Sequence, residues 1–262
     1  MSTPNPAAAA KPTIVLVAFG TSVDSARRVF DNIYVHACRR YPKYDIQWAF
    51  TSRVIIHKLK QLGITTRYVG EVVDELRSEG VSKIAFQSLH VVPGQEYRRV
   101  LDLDLSGLQV AYGNALMTSD EDVETVITAL ASQIDATQPT VLVAHGNDHH
   151  PEFNERLLTL AEKIEQRYPR LVVASVEGDP GTEPLEKIKP LAAEHGSVRF
   201  VPLMIVAGDH VLNDVMGDDE GSWKNIISAN HAECVPSLGW NKSILEIYFA
   251  HLDKVLAQLE SR

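Results

Sequence analysis

Cysteine is nearly missing from this chain: Cys38 and Cys234 are the only two in 262 residues. They form no CxxC pair and no Cys/His zinc spacing, so any metal site must rest on histidines and carboxylates, and the reading is two free buried thiols. No apolar run approaches the roughly 18 residues that a membrane-crossing helix requires. Cationic excess is missing too. Lys and Arg number 25 against 34 Asp and Glu, a formal charge of −9. That balance argues against non-specific nucleic-acid binding, and it means that a polyanionic small molecule must find a local basic cluster. No GxxxxGK[ST] phosphate loop occurs, so no ATP is implied. Met1 to Pro12 is a Pro/Ala-rich segment without a charged n-region and following apolar stretch. It reads as a flexible tail on a cytoplasmic protein, although an exported protein renumbered from its mature end, and so periplasmic, would look the same. What remains is ordinary for a soluble globular enzyme: 45% apolar and 23% charged residues, in a chain long enough for a well-buried core.

The chain reads as two copies of one plan. Thr13 to Gly20 is a continuous apolar run ending in glycine, suited to a strand buried on both faces. A helix follows over Ser22 to Arg40, a strand over Ile46 to Phe50, a helix over Arg67 to Glu79 and a strand over Val81 to His90. Thr140 to Gly146 then repeats the first strand. A helix is predicted over Glu152 to Arg167, with Arg167-Tyr-Pro169 echoing Arg40-Tyr-Pro42. Leu171 to Val176 reads as a strand and Pro184 to Glu194 as a helix, and Val198 to Gly208 echoes Ile84 to Gly94. Alternating strands and helices argue for α/β architecture with parallel sheets. The expectation is a tail over residues 1–12, an α/β half over 13–118 and a second half over 119–262, with a cleft between them. Helices are predicted over Asp120 to Ile134 and, at the end, over Ser243 to Leu259, the last packing back on the first half.

The two copies differ where chemistry is expected. Aligned on their motifs, Phe19 matches His145, Phe50 matches Glu177, and Glu96 matches His210. A lone His at a strand end is more often structural than a ligand. Three metal-capable side chains at strand ends of one half shift that balance, because open parallel sheets bind ligands beyond the carboxyl ends of their strands. Two imidazoles and a carboxylate suit a borderline divalent ion, with further coordination positions left open.

At these residues the sequence resembles the anaerobic sirohydrochlorin cobaltochelatases of the CbiK type, over almost the whole chain. The resemblance is carried by Phe19-Gly-Thr-Ser22, Ala49-Phe-Thr-Ser52, Gln87-Ser-Leu-His90, His145-Gly146 and Val176-Glu177. Pro202-Leu-Met204, Val206-Ala-Gly-Asp-His210, Asn213-Asp214 and Ser222-Trp-Lys224 complete it. It implies two flavodoxin-like halves, a tetrapyrrole in the cleft, and a divalent metal, Co²⁺ before Fe²⁺ or Ni²⁺, held by His145, Glu177 and His210. These three are the expected catalytic residues. Insertion removes two pyrrole protons, which imidazole can accept near neutral pH. The product would serve cobalamin, or sirohaem- or haem-related, biosynthesis.

Around this site, Phe19, His90 and Arg53 are candidate substrate-cleft residues, and His90 is also a candidate axial ligand to a haem iron. Sirohydrochlorin carries eight carboxylates, so cations should line the cleft. Arg53, His57 and Lys58 are candidates, a solvated helix face being the competing account. Asp218, Asp219 and Glu220 are candidates to guide metal inward. His149 and His150 read as loop residues, and Met204 and Met216 as packing residues. The competing functions are iron or nickel insertion, a non-catalytic tetrapyrrole or metal carrier, and a phosphate binder at Gly20-Thr-Ser22. The expected partner is a small-molecule tetrapyrrole, with no nucleic acid and no membrane. Oligomeric state stays open, a homo-oligomer included, as does sirohydrochlorin against its reduced precursor.

Overall fold

In the computed structural model, which describes residues 11–261, two four-stranded parallel sheets lie side by side with helices between and outside them. Residues 1–10 of the expected tail lie outside the described part. The first half runs β1 (Thr13–Ala18), α1 (Asp24–Arg40), β2 (Ile46–Phe50), α2 (Arg53–Gln61), α3 (Val69–Ser78), β3 (Lys83–Ser88), α4 (Gln95–Leu101) and β4 (Gln109–Gly113). A connecting helix, α5 (Asp120–Leu130), leads to β5 (Thr140–Gly146), α6 (Glu155–Arg167), β6 (Leu171–Glu177) and α7 (Leu185–His195). β7 (Ser197–Pro202), α8 (Trp223–Ile227), β8 (His231–Cys234) and α9 (Lys242–Glu260) complete the chain. The strand orders are β2-β1-β3-β4 and β6-β5-β7-β8, the same topology twice.

The continuous apolar runs follow from burial on both sheet faces. Along β1, Ile14, Leu16 and Ala18 enter a central core, while Val15 and Val17 face an outer one with α3. Along β5, Leu142 and Ala144 enter the same central core, and Val141 and Val143 face α7 and α8. The central core therefore belongs to both halves, with α1, α5, α6 and α9 contributing to it. Helix α9 packs across β3 and β4 of the first sheet. Met204 and Met216 are packing residues of the outer core of the second sheet, and both cysteines are free and half-buried.

Several boundaries differ from the sequence expectation for identifiable reasons. The helix after β5 begins at Glu155, because Pro151–Asn154 forms a single tighter 3₁₀ turn. Helix α3 starts at Val69, since Arg67 and Tyr68 extend the sheet edge: Phe50 N–H donates to the Arg67 carbonyl. Helix α5 ends at Leu130, where Asn241 Nδ2 takes up the Ala129 carbonyl. The strands β4 and β8 were not read from the sequence. Both are short, partly exposed edge strands without a long apolar run.

Candidate metal centre

Where β1 and β3, or β5 and β7, separate, the strand order reverses and leaves a crevice at the carboxyl edge of each sheet. Among the described residues, only the second crevice is furnished with metal-capable side chains in a triad. His145 is the penultimate residue of β5, Glu177 the last of β6, and His210 follows the loop after β7. Their donor atoms all lie within 4.8 Å of one another, and they are the one such His/Cys/Asp/Glu group among the described residues. The two imidazoles meet edge to face, 4.9 Å between ring centres at 88°. His145 Nδ1 is 3.9 Å from a Glu177 oxygen. All three side chains are more than a third exposed, so an ion placed here would keep access to solvent and to a second reactant.

Each histidine is oriented by an acceptor. His145 Nδ1 lies 2.9 Å from the Gly146 carbonyl, which can only accept, so Nδ1 carries the proton and Nε2 presents its lone pair. His210 Nδ1 lies 2.7 Å from Asp214 Oδ2, one helical turn further on, which again frees Nε2. This carboxylate–histidine pairing fixes the tautomer and the ring orientation. Its role was missed in the sequence, although an i,i+4 spacing of His and Asp was visible there. His210 itself leads into a π-turn over Val211–Val215, a form frequent at functional sites.

Two glycines bring the strand ends together. Gly146 has φ +74°, and a Cβ there would sit 1.7 Å from the Glu177 carbonyl oxygen. Gly178 has φ +62°, and its Cβ would lie 2.4 Å from the Asn147 carbonyl oxygen. No side chain fits either place. Ser175 holds the turn after Glu177, donating to the Gly178 carbonyl and accepting from Gly181 N–H, both at 2.8 Å.

The sheet registers correct one sequence alignment. Leu89 N–H donates to the Val17 carbonyl, and Leu203 N–H to the Val143 carbonyl, so Val17 and Val143 are equivalent. Their partners across the sheet are Ala49 and Ala174. Counting forward, Glu177 corresponds to Ser52 rather than to Phe50. The turn after Arg167-Tyr-Pro169 is two residues shorter than that after Arg40-Tyr-Pro42, which shifts the strand; a two-residue slip keeps the same sheet face. Ser52 caps α2, accepting from Ile55 N–H.

The remaining candidates surround this centre in varied states. Phe19 stands 45% exposed just beyond β1. His90 has both ring nitrogens occupied, Nδ1 at 2.9 Å from Ser88 Oγ and Nε2 at 3.5 Å from Thr51 Oγ1. Burial lowers its pKa to about 4, so it is neutral at pH 7. Arg53 opens α2 with its guanidinium carbon 4.0 Å from the Tyr68 ring centre. His57 and Lys58 are exposed on the same helix, His57 paired with Gln61. His150 is engaged with Glu152 at 3.3 Å and stands beside Phe153, outside the triad. Asp218 is held by Lys224 at 2.8 Å, while Asp214 and Asp219 line a cavity of about 390 Å³ with Val176 and Trp223. No helix among the described residues is long and apolar enough to cross a membrane.

Residues 12–257 match the family model described as Cobalt chelatase (CbiK). The sirohydrochlorin cobaltochelatase of Salmonella typhimurium is 33% identical, across 94% of this chain and 97% of its own. The sirohydrochlorin cobaltochelatase CbiKC of Nitratidesulfovibrio vulgaris is 28% identical, across 95% and 92% respectively. Among solved structures, SirB from Bacillus subtilis with Fe³⁺ superposes with a TM-score of 0.62 at 12% identity, covering 97% of this chain and 98% of SirB. CbiX, described as the terminal enzyme for siroheme biosynthesis in denitrifying bacteria, gives 0.54 at 12% identity, over 92% and 98%. At such identities the two structures speak for the fold alone.

Proposed function

Since this chain belongs to the cobalt chelatase (CbiK) family, we propose that His145, Glu177 and His210 are the residues with which it inserts Co²⁺ into sirohydrochlorin, a lyase-type step of cobalamin biosynthesis. The observation that carries this assignment is the convergence of three donor atoms within 4.8 Å at the carboxyl edge of one sheet. The ion is substrate here, held and then released. Two neutral imidazoles and one carboxylate bind a first-row divalent ion while leaving positions for the macrocycle nitrogens. Each pyrrole N–H gives up its proton as its nitrogen bonds the metal, and the insertion releases two protons. As the ion moves across, His145 and His210 recover lone pairs at Nε2 that can take those protons and pass them to solvent. Glu177 serves as the third ligand and offsets the charge of the ion.

Residues 13–118 and 119–262 are retained as the two halves, with the macrocycle between them. Phe19 offers an exposed apolar face to the ring system, and Arg53 a cation to its acid side chains. Haem ligation by His90 would require its ring to leave Ser88 and Thr51, so a hydrogen-bonded structural role is preferred. Fe²⁺ and Ni²⁺ are the competing ions for the same ligands.

The test is an anaerobic absorbance assay of sirohydrochlorin with Co²⁺, on wild type, His145→Ala and His210→Ala. Catalytic conversion by wild type, lost by at least a hundredfold in both folded variants, is the expected result. Full activity in either variant would remove that histidine from the site.

A further inference from the structure

Helix α4 carries two adjacent arginines in opposite circumstances. Arg99 is neutralised in place, 2.8 Å from Glu96 and 3.2 Å from the Thr51 carbonyl. Arg98 is exposed and has no carboxylate partner among the described residues; its guanidinium carbon lies 4.8 Å from the centre of the Phe153 ring. Phe153 belongs to the other half of the molecule, in the turn reached by the loop that leaves β5 after Gly146. The backbone meets there as well, since a Cβ on Gly94 would be 3.7 Å from the same ring. Arg98 thus stands where the first half touches the half that carries His145, Glu177 and His210.

A guanidinium lying on an aromatic ring uses its face and leaves its N–H edge free. That edge is a planar fork matched to a carboxylate. The contact holds the cation in position without neutralising it. The surroundings make such a cation consequential: the chain carries a net −9, so its average field repels a polyanion. The stretch of the second half that bears His210 holds Asp209, Asp214, Asp218, Asp219 and Glu220.

We propose that Arg98 is a specificity residue of the cleft that binds a peripheral carboxylate of the tetrapyrrole and favours a polycarboxylate macrocycle over one with few acid side chains. The proposal rests on the chelatase reading for the identity of the ligand, and it assigns Arg98 no part in the metal transfer.

The experiment is an equilibrium titration without metal, followed by absorbance and fluorescence. Wild type, Arg98→Leu and Arg98→Lys each receive free-base sirohydrochlorin and a neutral derivative with its carboxylates amidated. Arg98→Leu should weaken binding of the acid about tenfold, the scale of one charge-assisted hydrogen bond, and change binding of the amide less than twofold. Arg98→Lys should recover part of the loss. In turnover, KM for the tetrapyrrole should rise while kcat and the Co²⁺ dependence hold. Equal weakening of acid and amide would make Arg98 a prop between the halves and overturn the proposal, as would no change in either. A wild type that binds the macrocycle but never metallates it would sink the chelatase reading while the comparison at Arg98 still stands or falls by itself. A wild type that binds neither compound would sink both.

Discussion

His210 arrives at the cleft with one nitrogen already committed. Asp214 Oδ2, 2.7 Å from its Nδ1, engages that nitrogen and leaves Nε2 free on a ring grouped with Glu177 and His145. Losing such an outer partner commonly lowers metal affinity by about 10–100-fold. Asp214→Ala is therefore expected to weaken Co²⁺ binding by about that factor in a calorimetric titration, and Asp214→Asn, whose amide oxygen still accepts, by less. Unchanged affinity in the alanine variant would mean that packing alone orients His210. His145 has no comparable side-chain partner at Nδ1, only its neighbour's carbonyl, and so depends on the backbone of the β5 end. At this scale much was legible from the sequence, because a His, a Glu and a His at strand ends stand out against apolar surroundings. The Glu177 match to Phe50 went astray because a residue-by-residue alignment carries no record of a shortened turn; only the ladder between β5 and β6 reveals it.

Among the elements, α9 does more than close the chain. It lies over β3 and β4, and its buried Tyr248 hydroxyl donates toward the carbonyls of Leu89 at 3.3 Å and His90 at 3.1 Å. These carbonyls sit at the carboxyl end of β3, where the loop toward α4 leaves the sheet. The last helix is thereby tied to the loop that leads to Arg98. Tyr248→Phe leaves two buried acceptors with one partner fewer, at a cost of about 1–2 kcal/mol. Urea unfolding should show it as a lower midpoint at unchanged slope, and an unaltered midpoint would show that the hydroxyl contributes nothing net. Long helices and inner strands were readable because period 3.6 and unbroken apolar runs are local signals. The edge strands β4 and β8 were not, since each is half-polar and is defined by the neighbour it pairs with.

For the molecule as a whole, one topology is used twice and charged differently. The helix α2 carries Arg53, Lys58 and Lys60 without an acid, whereas residues 209–220 carry five acids without a lysine or arginine. By charge alone, the acidic stretch would attract a divalent cation and α2 a polyanionic macrocycle. Exposed charges are screened within about 8–10 Å at ordinary salt. The apparent KM for Co²⁺ should therefore rise several-fold between low and high concentrations of a non-coordinating salt, with kcat nearly constant. Initial rates at fixed free Co²⁺ would measure this, and a flat profile would exclude electrostatic guidance by the acidic stretch.

The division between sequence and tertiary structure follows the range of the interactions. The sequence alone determined the two-fold α/β plan and the strands buried on both faces, since burial and glycine-ended strands are recorded residue by residue. It also singled out His145, Glu177 and His210, because metal-capable groups at such ends conflict with the apolar pattern around them. The folded chain decided which residues those three correspond to in the first half, that Asp214 aims His210, and that Arg98 rests on Phe153 of the other half. Those facts depend on strand register, on the direction a side chain takes, and on contact between segments far apart in the chain, none of which a local pattern encodes.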